Sequence, residues 1–346
     1  MTAVHQVVTG AGPYDAVSEQ MRAWRRLLGE AGYGGADFAG QIDTGARDHF
    51  QLLERLDPEP NDLIVIRYSA WSPGLGRVLG LQQRKLLVYH NITPPGYLWN
   101  HSPGLAVQCA VGRMQLPAFA RAARVVTADS HFNAEEMRGA IDDGVRVVPV
   151  LFDPARLAER GTPPEGDGPL VLVVGRLVPN KRHDHVFAAF AAYQRECEPS
   201  ARLLCVGTAL NPRYWQLMRS LAEASGAHNV TLAGGLPQDR VNAAYAEASV
   251  LLTLSEHEGF CVPLLEAFHF GVPVVAAPAG AVPGVSAGAA LFTDGDPAVT
   301  AELLDRAVRD SQLRDELRER GRGRLADFAY DRTAVAVRDA VATALA

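Results

Sequence analysis

Two glutamates stand eight residues apart in a segment that also contains a glycine and a proline. Glu258 and Glu266 bound the sequence EGFCVPLLE, and the strand-like run VPVVAA follows soon after. Pro263 suits the first turn of a helix, where its missing N–H loses nothing. Backbone N–H groups at a helix start bind anions, helped by the helix dipole. The segment therefore predicts a site for an extended anionic ligand, with the two carboxylates on different parts of it.

Two basic residues follow another apolar run. Arg176 and Lys181 occur in VVGRLVPNKR, and Lys181 is one of two lysines in the chain, the other being Lys85. A forked guanidinium beside a compact ammonium is a suitable clamp for a diphosphate. Taken singly, each of these charges could be an ordinary exposed surface group. The joint occurrence of both segments favours a binding site.

Both segments resemble motifs of one known family. EGFCVPLLE, residues 258–266, resembles the E-x7-E signature of retaining glycosyltransferase family 4, and VVGRLVPNKR resembles its V-G-R-x4-K segment. The similarity runs from about Leu170 to Phe328. The N-terminal half matches more weakly, through HNITP at 90–94 and ADSHFN at 128–133. The resemblance implies a GT-B fold, in which two Rossmann-like domains face each other across a cleft.

The resemblance also implies roles for the matched residues. Arg176 and Lys181 would bind the pyrophosphate of a nucleotide-sugar donor. Glu266 would accept hydrogen bonds from both ribose hydroxyls, and Glu258 would contact the donor sugar. Backbone contacts to sugar and phosphate are implied for Gly259, Phe260 and Cys261.

This chain departs from the family at two of its motif positions. Cys261 stands where glycine is frequent, which weakens the expected backbone contact there. Gly284 stands where glutamate is common, which weakens any argument from that loop and leaves the implied donor binding unchanged.

The N-terminal half supplies candidates for the acceptor side. His90 follows an apolar run and resembles the family's histidine near the reacting carbon; a satisfied structural histidine is the alternative. Gly12 and Asp15 follow the first predicted strand, where an acceptor-facing loop belongs. An ordinary strand-to-helix turn is the alternative there. Capping of a helix is the expected role of Ser130.

Strand–helix alternation must position these residues. In the first half, strands are predicted at Val4–Val8, Leu63–Arg67, Leu86–Tyr89, Arg124–Ala128 and Val145–Val150, with a helix at Val17–Leu28. In the second half, strands are predicted at Leu170–Val174, Arg202–Val206, Val230–Leu232, Val250–Thr253 and Val274–Ala276. Nearly continuous apolar strands indicate parallel sheets covered on both faces. Two doubly wound α/β domains are expected, with ligands at the carboxyl ends of the strands.

The glycine- and proline-rich segment GTPPEGDGP, residues 161–169, predicts a linker. We therefore expect an N-terminal acceptor-binding domain over 1–160 and a C-terminal donor-binding domain over 170–329. Residues 330–346 are predicted to form a helix. By resemblance, this helix packs back onto the first domain.

The composition of the 346-residue chain limits the kinds of partner that it can bind. A net charge of −6 argues against a nucleic-acid partner, and no apolar run reaches the ~18 residues of a membrane span. Arg22, Arg25 and Arg26 with Trp24 could give weak peripheral membrane contact; a solvated helix face is the alternative. Four widely spaced cysteines suggest neither a metal site nor a disulfide framework, and a cytoplasmic location is expected.

The reaction implied by the resemblance moves a sugar from a nucleoside diphosphate, of UDP or GDP type, to an acceptor hydroxyl with retention. The acceptor would be a small molecule, a saccharide or a glycolipid. No acidic triplet or His/Cys cluster in the sequence suggests a metal, so no metal or other cofactor is expected and cationic groups would balance the departing diphosphate. The alternatives are a non-hydrolysing sugar-nucleotide epimerase and an inactive donor-binding module.

Overall fold

A computed structural model describes residues 2–141 and 144–346. The chain forms two compact units: unit 1 comprises Met1–Phe152 with Phe328–Ala346, and unit 2 comprises Asp153–Asp327. Within the described residues, each unit contains one parallel sheet with helices between its strands. The prediction of two Rossmann-like α/β domains is confirmed.

Unit 1 is built on a seven-stranded sheet within the described residues. Its strands are β1 (Val4–Ala11), β2 (Asp37–Ile42), β3 (Gln51–Leu52), β4 (Leu63–Tyr68), β5 (Arg84–Tyr89), β6 (Val125–Ala128) and β7 (Val145–Val147). Its first helices are α1 (Ala16–Glu30), α2 (Pro73–Leu79), α3 (Pro103–Ala122) and α4 (His131–Met137). The strand order β3-β2-β1-β4-β5-β6-β7 reverses direction between β1 and β4. In such sheets ligands bind beyond the carboxyl ends of the strands at this switch point.

Unit 2 repeats this arrangement with a six-stranded sheet in the part of the chain described. Its strands are β8 (Leu170–Val174), β9 (Arg202–Val206), β10 (Val230–Gly234), β11 (Val250–Thr253), β12 (Val274–Ala276) and β13 (Leu291–Phe292). Its helices are α5 (His183–Glu196), α6 (Pro212–Ala224), α7 (Gln238–Glu247), α8 (Val262–Phe270), α9 (Val282–Ser286), α10 (Pro297–Arg309) and α11 (Ser311–Leu325). The order β10-β9-β8-β11-β12-β13 makes β8 and β11 neighbours at the switch point.

The sequence pattern missed β2, β3 and β13. The first of these begins with a buried acid, Asp37, which hides the apolar signal of the strand. Its carboxylate is satisfied because Gln6 donates to it at 2.9 Å and Arg25 at 2.6 Å. The last strand of unit 1, β7, ends at Val147 instead of the predicted Val150.

The boundary between the units falls earlier than the one predicted at residue 160. The segment over 161–169 is irregular, and side chains and backbone of unit 2 bind it. Gly161 N donates to Asp239 O at 2.9 Å, and the Arg202 guanidinium donates to the carbonyls of Glu165 and Gly168. These bonds explain why this glycine- and proline-rich stretch belongs to unit 2.

The C-terminal helix α12 (Tyr330–Leu345) belongs to unit 1. Its buried face, which includes Val337 and Val341, packs in one cluster with Leu86 and Val88 of β5. Burying such side chains contributes roughly 1.5–3 kcal/mol each. The last helix of the sequence therefore completes the core of the first unit.

Candidate donor site and acceptor-side residues

The two sequence motifs of unit 2 meet because their strands are neighbours. Arg176 and Lys181 follow β8, whereas Glu258 follows β11. The two strands pair in parallel, with Val171 opposite Val250. Their carboxyl ends thus lie side by side at the switch point. Adjacent loops bring together residues that are almost 80 positions apart.

Lys181 and Glu258 form an ion pair within this edge. The ammonium of Lys181 donates to the carboxylate of Glu258. Glu258 is only 7% exposed, so it is not the solvated loop carboxylate considered as the alternative. Removing one member of a buried pair leaves the other charge uncompensated, which typically costs about 3–5 kcal/mol. The pair places a cation and an anion together where a charged ligand can interact with both.

The residues flanking this pair also connect the two loops. The Asn180 side-chain amide donates to His257 O at 3.1 Å, and Glu256 N donates to Asn180 O at 2.8 Å. The Arg182 guanidinium donates to the carboxylate of Glu256. The loop after β8 is therefore bound to the loop after β11 along three consecutive residues on each side.

A glycine in the loop after β12 supports the backbone of Glu258. Ala281 N donates to Glu258 O at 2.9 Å. Gly280 has a φ of +58°, and a Cβ at this position would lie 2.4 Å from Glu258 O and 2.8 Å from its N. Only a residue without a side chain allows this approach.

Cys261 takes the position just before α8 with a φ of +74°. This left-handed conformation is costly for a residue with a Cβ and free for glycine, which accounts physically for the glycine expected there. Phe260 and Cys261 are buried, and Gly259 lies between Glu258 and this pair. Burial and the nearby Glu258 carboxylate raise the pKa of the Cys261 thiol, so the thiol is protonated near neutral pH.

Glu266 lies on α8 and is 5% exposed, so it is not a helix-surface charge. Arg156 pairs with one of its carboxylate oxygens, and the Tyr245 hydroxyl donates to the other at 2.9 Å. Burial, followed by the Glu266 charge, raises the pKa of Tyr245 well above its usual value. The Asn242 side chain donates to Arg156 O at 3.0 Å and so holds the arginine's backbone in place. Both oxygens of Glu266 are thus oriented by its own unit.

Sequence reasoning missed Arg156, Asn180 and Tyr245. Arg156 and Tyr245 belong to no spaced motif, Asn180 occupies an unspecified position of the V-G-R-x4-K segment, and the sequence placed Arg156 in the N-terminal domain. Arg176, which the sequence did identify, is exposed and forms no ion pair with any described residue. Its guanidinium lies on the same loop as Lys181 but not in contact with Glu258 or Glu266.

His183 begins α5 directly after this edge. It is 1% exposed, and neither ring nitrogen has a hydrogen-bond partner among the described residues. Burial, assisted by the Lys181 charge, lowers the pKa of His183 to about 4. The ring is therefore neutral at physiological pH and adds no charge to the site.

In unit 1, His90 follows β5 and belongs to a buried polar network. Its Nδ1 lies 2.6 Å from an Asp129 carboxylate oxygen, and its Nε2 lies 3.5 Å from the Arg67 guanidinium. An ionised carboxylate can only accept, so Nδ1 carries the proton in this contact. Asp129 thereby fixes the orientation and tautomer of the imidazole. The arrangement fits an orienting role as well as a structural one.

Arg67 is the centre of this network and is 1% exposed. Its guanidinium donates twice to Gln6 Oε1, at 2.6 and 3.1 Å, and lies 3.9 Å from the centre of the Trp24 ring. Burial lowers the pKa of Arg67 to about 9, while Asp129 and Asp37 oppose that shift. The guanidinium therefore stays charged at neutral pH.

Gly12 and Asp15 lie at the same sheet edge as His90, beyond β1 and at the start of α1. Asp15 caps α1: its carboxylate accepts from Ser18 N at 2.8 Å and from Ser18 Oγ at 2.7 Å. Gly12 N donates to Ser18 Oγ at 3.1 Å. The structure thus gives both residues a local role in starting the helix. Ser130 likewise caps α4, accepting from Asn133 N at 3.1 Å, as expected.

The basic-aromatic patch, one of the two interpretations considered for α1, is not formed. Trp24 is 2% exposed and packs in the core of unit 1. Arg25 is bound to Asp37 and Arg22 to Glu19. That interpretation was wrong because it treated four neighbouring residues as one face, although one of them points into the core. None of the described helices is long and apolar enough to cross a membrane. The described residues contain no cluster of three metal-ligating side chains.

Comparison with known proteins bears on the second unit most directly. Residues 156–324 match the model of the family described as glycosyl transferases group 1. A D-inositol 3-phosphate glycosyltransferase from Salinispora arenicola is 32% identical over 205 residues, 55% of this chain and 45% of that protein. A GDP-mannose-dependent alpha-(1-6)-phosphatidylinositol monomannoside mannosyltransferase from Mycobacterium tuberculosis is 33% identical over 140 residues, 38% of this chain and 35% of that protein. The matched part spans less than half the length of these curated relatives.

Solved structures match the fold of the whole chain. A sucrose-phosphate synthase from Thermosynechococcus elongatus gives a TM-score of 0.77 at 19% identity, covering 98% of both chains. HepE of Anabaena, solved with UDP-glucose, gives 0.77 at 16% identity and covers 99% of this chain and 100% of its own. The predicted resemblance to glycosyltransferases is confirmed at the level of the group. The assignment to family 4 stays a prediction.

Proposed function

We propose that this chain is a retaining, metal-independent glycosyltransferase that transfers a sugar from a nucleoside-diphosphate sugar to an acceptor hydroxyl. The observation that carries the proposal is the contact between Lys181 and Glu258 at the switch point of unit 2. Lysine and carboxylate lie where the fold binds ligands. The match of residues 156–324 to group 1 glycosyl transferases supports the same conclusion.

The donor would bind to unit 2 through groups of opposite charge. Lys181, the exposed Arg176 and the N–H groups at the start of α8 would hold the diphosphate. Glu266, oriented by Arg156 and Tyr245, would accept the ribose hydroxyls. Glu258 would contact the sugar. The donor thus meets positive groups at its phosphates and carboxylates at both of its sugar rings.

In the proposed reaction, the bond between the anomeric carbon and the donor phosphate oxygen breaks. A bond from the acceptor oxygen forms on the same face, and the acceptor proton passes to the departing phosphate. Lys181 and Arg176 stabilise the charge that develops on the diphosphate, and Glu258 stabilises the cationic sugar. Because the departing phosphate takes the acceptor proton, we assign no protein nucleophile, and the thiol of Cys261 stays protonated. His90, oriented by Asp129, would act near the reacting carbon.

The relatives suggest where a substrate search should begin. Two of them carry inositol in their names, one as D-inositol 3-phosphate and one as a phosphatidylinositol mannoside, and the second uses GDP-mannose. We propose a UDP- or GDP-sugar donor and a polyhydroxylated acceptor, free or lipid-linked. The reaction would take place in the cytoplasm, where nucleotide sugars are available.

The test is an activity assay with UDP- and GDP-sugars as donors and with inositol phosphates, saccharides and glycolipids as acceptors. The assay is run in EDTA, and it measures the nucleotide that is released only when an acceptor is present. The Glu258→Gln variant should lose roughly a hundredfold in kcat, since it removes a charge aimed at the transition state. Glu196→Gln is the matched control, because Glu196 is an exposed carboxylate of the same unit.

Three outcomes would contradict the proposal in different ways. Conversion of the donor alone into a second nucleotide sugar, with no free nucleotide, would indicate an epimerase. Donor affinity without turnover for any acceptor would indicate a binding module. A strict requirement for a divalent cation would mean that the phosphate-binding groups have been misidentified.

A further inference from the structure

One ion pair beside the proposed donor site is not part of either sequence motif. Arg182 follows Lys181 and pairs with Glu256, which precedes Glu258 by two residues. We refer to Arg182 and Glu256 as the outer clamp, and to Lys181 and Glu258 as the inner pair. Both connect the loop after β8 with the loop after β11. The outer clamp lies closer to solvent, its side chains being 24% and 40% exposed.

The backbone of Arg182 has an uncommon conformation, and side-chain hydrogen bonds hold the residue in place. The residue has a φ of +50°, a left-handed conformation that is unfavourable for a residue with a side chain. It sits where the short helical turn over 179–181 ends and α5 begins. Asp184 accepts from its Nε and from one terminal nitrogen, both at 3.0 Å. Hydrogen bonds to Asp184 and Glu256 raise the pKa of Arg182.

We propose that Arg182 and Glu256 are positioning residues that hold the Lys181 ammonium on Glu258. Without the outer clamp, the two loops beside the inner pair would lose a charged connection and keep the neutral hydrogen bonds of Asn180 to His257 and Glu256. Lysine has a long, flexible stem, and its ammonium must be fixed before it can serve as a preorganised charge. The kinetic consequence rests on the proposed function, whereas the positioning itself does not.

The chain offers a direct readout because it contains two lysines. Lys181 has a side chain that is 22% exposed, while Lys85 is buried. Brief labelling with an amine-reactive ester, followed by peptide mass spectrometry, measures the reactivity of each ammonium. Arg182→Gly and Glu256→Gln should both label faster at Lys181, by roughly fivefold, the equivalent of about 1 kcal/mol for a partly exposed pair. Lys85 should not change.

The two variants separate positioning from a simple effect of charge. Through charge alone, losing the positive Arg182 would slow labelling of the neighbouring amine, whereas losing the negative Glu256 would speed it. Positioning predicts acceleration in both. Glu258→Gln sets the upper limit, and Glu196→Gln is the control. Opposite changes in the two clamp variants, or unchanged labelling, would overturn the proposal.

Folding and kinetics complete the test. Arg182→Gly removes the guanidinium but suits the left-handed backbone, so its melting temperature should not fall by more than a few degrees. Its kcat should fall by roughly fivefold with little change in donor KM, because the inner pair would act on developing charge. A raised KM with unchanged kcat would overturn the proposal. If no donor is turned over by the wild type, the proposed function fails, while the labelling still decides the clamp.

Discussion

The two units present charged groups at their sheet edges in different ways. In unit 2, the pairs Lys181–Glu258 and Arg182–Glu256 join two loops that follow adjacent strands. In unit 1, His90 contacts Asp129 after β6 and Arg67 inside β4, and Arg67 in turn binds Gln6 inside β1.

This difference separates two kinds of polar site. Loop residues can exchange a protein partner for a ligand without disturbing the sheet, which suits substrate binding. Side chains inside buried strands cannot replace a lost hydrogen-bond partner with water, so every member of the network depends on the others. We therefore expect the charge pairs of unit 2 to exchange for a ligand, and the network of unit 1 to act as a fixed framework that orients one histidine.

The largest effect should come from breaking the fixed framework. Arg67→Met removes the hydrogen bonds to Gln6 and leaves Asp129 buried beside His90 without its cation. We expect the free energy of unfolding to fall by about 3–5 kcal/mol, measured by urea denaturation. Arg121→Met, at an exposed arginine of α3, is the control. A loss below 1 kcal/mol would show that the polar network of unit 1 is not a fixed framework.

The second effect depends on pH and concerns unit 2. The pKa of His183 is about 4 in the folded chain and 6.5 when unfolded, so the unfolded state takes up the proton first. Protonation of His183 thus costs no stability above pH 6.5, and stability falls as pH drops toward 4, by about 3 kcal/mol in full.

The variant His183→Leu should remove this loss. Urea unfolding at pH 7.5 and pH 4.5 compares the drop in stability for both proteins, and the wild type should lose more. Equal drops would mean that the imidazole has found a partner for its proton.

A smaller loss is expected when Glu266, the carboxylate proposed to bind the ribose, is removed. Glu266→Ala should weaken nucleoside-diphosphate binding by roughly ten- to a hundredfold, because a buried charged hydrogen bond is worth about 1.5–3 kcal/mol. Calorimetric titration measures this, and the exposed Glu302 provides an Ala control. Kinetically, donor KM should rise more than kcat falls, the reverse of Glu258→Gln. Unchanged affinity in a folded Glu266→Ala protein would remove Glu266 from the donor site.

The same contrast explains what the sequence could reveal. Most strands and both unit 2 motifs were predictable, because apolar runs and fixed spacings are local signals. The partners of those motifs were not: Arg156 reaches Glu266 from 110 positions away, with no pattern around it. Nor was the α1 patch correctly interpreted, since adjacent helix residues point in different directions. Three-dimensional pairing, unlike spacing, has no local signature.

The smallest effect tests whether Asp15 has any role beyond capping. Asp15→Ala should lower the free energy of unfolding by about 1 kcal/mol, while Asp15→Ser, which keeps a cap, should lose little. Acceptor KM should be unchanged in the serine variant. A raised acceptor KM in a stable Asp15→Ser protein would instead support the acceptor-side interpretation, and would give unit 1 a releasable group like those of unit 2.

Gly280 has a consequence for how mutational scans of this protein should be interpreted. Its missing side chain leaves room for the carbonyl and amide of Glu258. An alanine placed there would push the Glu258 loop away and abolish activity, although position 280 itself supplies no chemical group. Alanine scanning would score it alongside Lys181. At each position, one substitution should change the volume of the side chain and another should change its charge. Comparing the two would separate residues that contribute a chemical group from residues that must be small.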